Sequence, residues 1–470
     1  MRHYIAFTNK NPSGLIDEGI EGQKKDPEAR QNVVSPNGYY LPHTFESASF
    51  APRGIVTVGE LQVTFSEKFD VVVVGGGPIG GIAAKGLAEK GLNTMILEEH
   101  TTIGQPEHCA GLISINGLGR LGITPSRRAV LNKVKGATLF SRFGAQMTVE
   151  RQYDQAYVLD RASLDRQIAD EAAKKGSGIA LNAKATSVDI KPEEAVVATE
   201  MPSGRSSKEK MRIRADLVIS CEGALANLSR QVGLGAPNPR MRLYATQFEM
   251  NGVRLERDDL VQIHLGRTFA PGFFAWVIPT GSNSARVGLA SKVPKSLSLL
   301  RYFVSHHPPT CEMFAKAKVE KTFGGLVLTG GPTRRTYSNR FLAIGDCAGQ
   351  TKPTTGGGVV MGGTCAKIAT RVVLDCSAHT DYSKRFLERY EKEWRRELSR
   401  EFSTMLWARR LMNYLPDGLL DKLVRTAVKS GLADLMEQKG DIDLQSNFLK
   451  TILRNPRIII APILSLLGIR

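Results

Sequence analysis

The sequence predicts an α/β fold: a parallel sheet carrying a nucleotide-binding βαβ unit, then an antiparallel-sheet domain, then a helical C-terminal region. Three observations predict it. Strand, glycine turn, helix and second strand follow one another from Phe69 to Glu98. Residues from about 241 to 328 read mostly as short alternating strands. From about residue 381 the pattern is helical, with Phe386, Tyr390, Trp394, Leu398 and Phe402 on one face as a packing stripe.

The first unit reads FDVVVVGGGPIGGIAAKGLAEKGLNTMILE. Val71–Val74 is a continuous apolar run, as in a parallel strand buried on both faces. Residues Ile79 to Gly91 form the helix and Met95–Leu97 the next strand. Gly75, Gly77 and Gly80 have GxGxxG spacing, and Pro78 lies within the same turn. Gly75 permits the tight turn, Gly77 lets backbone approach a pyrophosphate, and Gly80 lets the helix pack on the sheet. The helix N-terminus offers free N–H groups and the positive dipole end to phosphates. Glu98 ends the second strand, placed to accept hydrogen bonds from a ribose 2′-hydroxyl. This is a Rossmann-like unit for the adenosine of FAD or NAD rather than NADP.

A second signature lies at RFLAIGDCAGQTKPTTGGG, Arg340 to Gly358. A buried strand, Phe341–Ile344, runs into Gly345–Asp346, and a helix starts after Gly356, Gly357 and Gly358. Asp346 is placed to bond a polyol hydroxyl, with an N-cap as its plainer role. The N–H groups near Gly356–Gly358 suit a ring oxygen or a pyrophosphate. Two separated nucleotide-type elements in one chain point to one long cofactor, FAD.

The remaining organisation follows. Residues 1–66 are rich in Asn, Gly, Pro, Ser and charge and read as a flexible extension. Residues 67–240 and 329–375 form a discontinuous FAD-binding domain, 241–328 an antiparallel-sheet substrate domain, and 376–470 the helical region. Ala162 to Lys175 is an amphipathic helix stopped by Gly176.

A formal net charge of +17 over 470 residues favours anionic partners. No nucleic-acid motif is present, so a membrane surface or anionic lipid fits better. The cysteines are single, with no CxxC pair, so no zinc or iron–sulfur site is expected. Scattered cysteines and no apparent signal peptide suit the cytoplasm, at the inner face of the membrane. No apolar run reaches the roughly 20 residues that span a bilayer.

Together these segments resemble the aromatic-hydroxylase superfamily of flavoproteins. Within it the chain is similar to the geranylgeranyl reductase family, particularly the archaeal digeranylgeranylglycerophospholipid reductases. Ile103 to Leu112 with Ser114 resembles the IGxPxxCxGxxS segment, and Leu159-Asp160-Arg161 with Leu164-Asp165-Arg166 the DRxxFDRxLA helix start. Phe274-Ala-Trp276-Val-Ile278-Pro279 with Gly288-Leu-Ala290 resembles the aromatic-x-Trp-x-aromatic-Pro…GxG signature. Tyr390, Trp394 and Arg454-Asn455-Pro456-Arg457 resemble the C-terminal region. Glu222 stands where the superfamily has Asp, and Ile278 where the family has an aromatic.

The resemblance implies an FAD-dependent saturation of isoprenoid C=C bonds, by hydride from flavin N5 and a proton. It places Cys109, Ala110 and Gly111 at the flavin, with Cys109 as the catalytic candidate and His108 as a weaker donor, since histidine titrates near neutrality but departs from the family's usual residue there. It implies that Arg161 pairs with the pyrophosphate, and that Phe274, Trp276 and Pro279, beside Phe273, wall an apolar tunnel. The electron donor, ferredoxin or NAD(P)H, stays open. Residues Ile458–Ile469, flanked by arginines, read as an interfacial anchor or a terminal core helix. Alternatives are a flavin monooxygenase or halogenase, a chlorophyll or quinone side-chain reductase, and a non-catalytic electron carrier. The region around Cys109 lacks the halogenase lysine, and the iron–sulfur cysteines of electron carriers are missing.

Overall fold

The structure, a computed structural model, describes residues 68–203, 207–440 and 443–446. The extension 1–66, the Arg454–Arg457 segment and the anchor candidate 458–469 lie outside the described residues.

The strand Phe69–Val74 is the centre of an eight-stranded sheet because its valines are buried on both faces. It pairs in parallel with Thr94–Leu97 on one side and with the long strand Ser207–Ser220 on the other. Phe341–Ala343 and Gly178–Ala180 extend the parallel part outward. The far end of Ser207–Ser220 leaves this core and carries the antiparallel strands Ala195–Ser203 and Lys184–Ile190. Helices Pro78–Ala88, Arg161–Lys174 and Val359–His379 cover one face. The first helix ends three residues short of Gly91, which turns the chain at φ +86°. The second starts at Arg161 because Asp160 caps it, accepting from the Ser163 N–H at 3.2 Å.

A seven-stranded sheet forms the second layer. Arg242–Asn251, Leu260–His264, Ala275–Gly281, Ser284–Ser291 and Lys318–Leu328 supply five strands. The other two, Gly136–Phe140 and Gln146–Glu150, come from the region assigned above to the FAD-binding domain. Gly136–Phe140 joins by a parallel pairing with Leu260–His264, so the sheet is mixed rather than wholly antiparallel. That pairing joins residues more than a hundred positions apart, and no local pattern announces it. Helices Ser296–His306 and Pro308–Phe314 cover the outer face, burying Leu300, Phe303 and Phe314 against Val277 and Val287.

The helix Lys384–Tyr414 docks its stripe against the first layer. The stripe begins at Leu387, and Phe386 is half-buried beside His379. Tyr390 donates to the Ala343 carbonyl at 3.3 Å and Trp394 donates to Thr336 Oγ1 at 3.0 Å. These polar ends lock the helix onto the strand that leads into Gly345–Asp346.

Candidate active site

The two glycine signatures, separated by about 270 residues of sequence, meet at one side chain. Ile79, at the start of the first helix, lies 3.2 Å from where a Cβ on Gly345 would stand. Gly75 turns the chain at φ +106°, with no room for a side chain against the Cys221 carbonyl. A Cβ on Gly80 would run into the Gly75 carbonyl oxygen. Gly77 is different: nothing lies within 4 Å of its missing Cβ. The space in front of this helix N-terminus is open, Pro78 takes the first helical position, and no acid occupies the first turn. A pyrophosphate fits there.

Glu98 is buried, and its carboxylate accepts from the Gly76 N–H at 2.7 Å. Its other oxygen accepts from the His100 N–H at 3.0 Å and contacts His100 Nδ1 at 2.6 Å. A carboxylate has further lone pairs, so a ribose hydroxyl remains compatible with these bonds. Asp346 has no hydrogen-bond donor among the described residues, and burial raises its pKa, with Arg161 opposing the shift. A half-buried carboxylate lacking donors, next to Gly358, suits a polyol hydroxyl. Gly356 permits a close approach of its loop to Val327, and Gly357 lies against Lys352. Lys352 in turn donates to Asp443 at 2.9 Å, which ties the C-terminal segment across this loop. These residues fit FAD at both of its ends.

Cys109 is exposed, and its Sγ accepts from the Gly111 N–H at 3.4 Å. Arg161 lies near the Cys109 side chain. Its Nε and Nη2 form a bidentate pair with Asp165, at 3.0 Å each. The fork that was expected to face a pyrophosphate is thus closed on Asp165, an i,i+4 partner on its own helix. Desolvation works against the charge on Arg161, but Asp165 and Cys109 outweigh it and raise its pKa. His108 is exposed, with its Cβ 3.3 Å from where a Cβ on Gly325 would stand, and partial desolvation of its ring lowers its pKa, so the imidazole is neutral at neutral pH.

The seven-stranded sheet turns one face toward this loop. Trp276, Gly288, Gln247 and Phe323 form one cross-strand row. The Trp276 indole donates to Gln247 Oε1 at 2.9 Å and lies 2.5 Å from where a Cβ on Gly288 would stand. Phe274 stacks on Phe273 with centroids 4.1 Å apart and meets Trp276 edge-on at 6.2 Å. Ala110 and Trp276 pack against the same small apolar cluster, which includes Ile278. Val327 joins Phe274 and Trp276 in a neighbouring one. The cysteine loop, the aromatic row and the Gly356 loop therefore border one cleft.

Pro279 does not belong to that wall. Strand alternation places it on the other face, where its cross-strand partner Ala285 packs under the outer helices. Glu222 is a turn anchor: it accepts from the Leu228 and Ser229 N–H groups at 2.9 and 3.0 Å. Its extra methylene relative to Asp is accommodated by these caps.

Sequence reasoning missed Arg286. It is buried on the cleft face, donates to the carbonyls of Leu159 at 2.7 Å and Ala110 at 3.2 Å, and pairs with Glu249 at 2.9 Å. The available signal was a charge at an inward position of an apolar strand. Among the described residues no helix is long and apolar enough to cross a membrane. No group of metal-ligating side chains occurs among them either.

Residues 68–296 match the family described as an FAD binding domain. The chain is 31% identical over 399 residues to digeranylgeranylglycerophospholipid reductase 2 of Methanopyrus kandleri, covering 83% of this chain and 98% of that protein. A geranylgeranyl bacteriochlorophyll reductase-like protein from Thermoplasma acidophilum superposes with a TM-score of 0.74 at 26% identity, over 84% of this chain and 98% of that one. A flavin-dependent brominase, 16% identical with a TM-score of 0.64 over 82% of this chain and 98% of its own, shares the fold. The chain therefore belongs to the digeranylgeranylglycerophospholipid reductase family of flavoproteins, and its cofactor is FAD.

Proposed function

We propose that this protein saturates C=C bonds of geranylgeranyl chains on an archaeal-type glycerophospholipid precursor. The observation that carries the reading is that the cysteine loop, through Ala110, and the Gly356 loop, through Val327, both adjoin the Trp276 row. Bound FAD, once reduced, supplies the hydride equivalent for such a bond. The chain supplies the rest. Phe274 and Trp276 present an apolar, oriented wall for a flexible isoprenoid, and positioning of this kind is worth several kcal/mol of barrier. Cys109 holds a proton at Sγ, and its exposure lets water replace that proton after transfer. The Gly111 N–H, bonded to Sγ, fixes the thiol's position, with the Arg161 charge nearby. His108, with its pKa lowered and its ring neutral at neutral pH, holds no proton to give as an imidazolium.

Peripheral contact with the membrane is part of the proposal. Trp407, Leu411 and Tyr414 are exposed on successive turns of the long helix, beside Arg410. Aromatic rings and cations of this kind favour a lipid interface.

The test is single-substrate reduction. Purified, FAD-loaded protein is supplied with dithionite and a geranylgeranyl glycerophospholipid, and mass spectrometry counts the added hydrogens. Stepwise gains of two mass units per double bond support the reading. Untouched lipid alongside oxygen-dependent turnover of an aromatic compound would replace it with a monooxygenase.

A further inference from the structure

A cavity of about 230 Å³ lies between the seven-stranded sheet and the last turns of the long helix. Thr354, in the loop ahead of Gly356, lines it together with Arg267 and Asp417. Its walls are mostly apolar and include Phe273 and Phe274, so it adjoins the aromatic side of the cleft. One wall residue breaks the pattern. Arg409 is only 5% exposed and occupies the buried stripe of the helix, following Phe402 and Met405.

Arg409 has little to balance its charge. It donates through Nη2 to the Gly272 carbonyl and lies 4.5 Å from the centroid of the Phe273 ring. Its Nε is buried with no hydrogen-bond partner. No described carboxylate lies within ion-pair distance of it. Asp417 is the one acid lining the cavity among the described residues, and it is already engaged. Its carboxylate accepts from the Arg267 N–H at 3.1 and 3.2 Å and pairs with Arg142 at 3.3 Å. Burial lowers the Arg409 pKa to about 10, which leaves the group charged at neutral pH.

An unpaired buried cation is strongly unfavourable, and proteins pair such charges or give them a ligand. The missing partner here is an anion. The walls specify more: an apolar enclosure favours an anion carried on a hydrocarbon, and a guanidinium prefers the fork geometry of a phosphate. We propose that Arg409 receives the phosphate group of the lipid substrate, with the isoprenoid chain leading past Phe273 and Phe274 toward Trp276. The inference rests on the reductase reading for the identity of the lipid.

The experiment compares a geranylgeranyl glycerophospholipid with the same lipid lacking its phosphate, using FAD-loaded full-length protein. Wild-type protein should prefer the phospholipid in kcat/KM by about tenfold or more, the range of a charged hydrogen bond. Arg409→Met should collapse that ratio, mainly through KM, and Arg409→Lys should retain part of it. Equal losses on both lipids would mean that Arg409 only packs, and an unchanged ratio would dismiss it from recognition altogether. A second readout needs no turnover: quenching of tryptophan fluorescence by a fully saturated diether phospholipid and by its phosphate-free counterpart. Equal wild-type affinity for the two overturns the proposal even if the variants fail to fold. Phosphate-dependent binding without any reduction would instead refute the reductase reading and keep the pocket. Inorganic phosphate separates the two sources of the anion. If it raises the wild-type melting temperature but not that of Arg409→Met, while the lipid ratio stays flat, the site takes a free anion and the lipid assignment falls.

Discussion

Arg286, from the seven-stranded sheet, donates to the Ala110 carbonyl at 3.2 Å and so holds the cysteine loop against the aromatic face. The same guanidinium donates to Leu159, just ahead of the helix that carries Arg161. One buried side chain thereby sets the spacing between the two layers and the position of Cys109. Arg286→Met should cost about 3 kcal/mol of stability, as for a broken buried pair. It should also change the rate at which iodoacetamide alkylates Cys109. Unaltered melting and alkylation would show that the loop is held by other contacts.

Cys109→Ala should lower turnover by roughly a hundredfold, the range for a positioned proton donor, with FAD still bound. Cys109→Ser should fall between wild type and Ala. The yellow flavin spectrum of the purified variants reports retention of cofactor, and steady-state reduction reports the step. Full activity in Cys109→Ala would remove the thiol from the mechanism.

Gly77 and Gly80 separate cofactor binding from folding. Gly77→Val enters open space at an extended backbone (φ −66°, ψ 180°), so the apoprotein should melt near the wild-type temperature while FAD affinity is lost. Gly80→Ala meets the Gly75 carbonyl and should destabilise the fold itself by about 2 kcal/mol or more. Flavin titration and calorimetry of the two variants decide this. Normal FAD binding by Gly77→Val would argue against a phosphate at that turn.

His264 and His307 are buried among Phe140, Phe269 and Phe303, with His264 stacked on Phe140 at 4.7 Å. Burial lowers their pKa values to about 3 and about 4. Folded, both stay neutral, whereas the unfolded chain takes up protons near pH 6.5. Their neutral burial is therefore fully tolerated above pH 6.5, and stability is lost as pH falls from there toward 4 and then 3. At pH 5 the loss is roughly 2 kcal/mol for each histidine. Melting temperature should drop between pH 7 and 5, and His264→Phe should flatten the slope. An equally steep slope in the variant would place the sensitivity elsewhere.

The sequence alone determined the elements that local chemistry dictates. The valine run of Phe69–Val74 could only be a doubly buried strand, and GxGxxG at Gly75–Gly80 with Glu98 could be read as a nucleotide turn because Gly75 and Gly80 answer local steric demands and Gly77 leaves the helix N-terminus open. The Tyr390–Trp394–Leu398–Phe402 stripe was legible for the same reason, since helical period alone aligns those side chains. Continued to Met405 and Arg409, it would have shown a cation where packing asks for an apolar group. What tertiary structure decided was pairing at long range. The parallel register of Gly136–Phe140 with Leu260–His264, the meeting of Ile79 with Gly345, and the contact of Arg286 with Ala110 depend on which surfaces come together. The assignment of Trp276 to the cleft and Pro279 to the opposite face likewise needed the register with Gly288 and Ala285. Such relationships arise from burial and hydrogen bonding between distant segments, and no window of neighbouring residues encodes them.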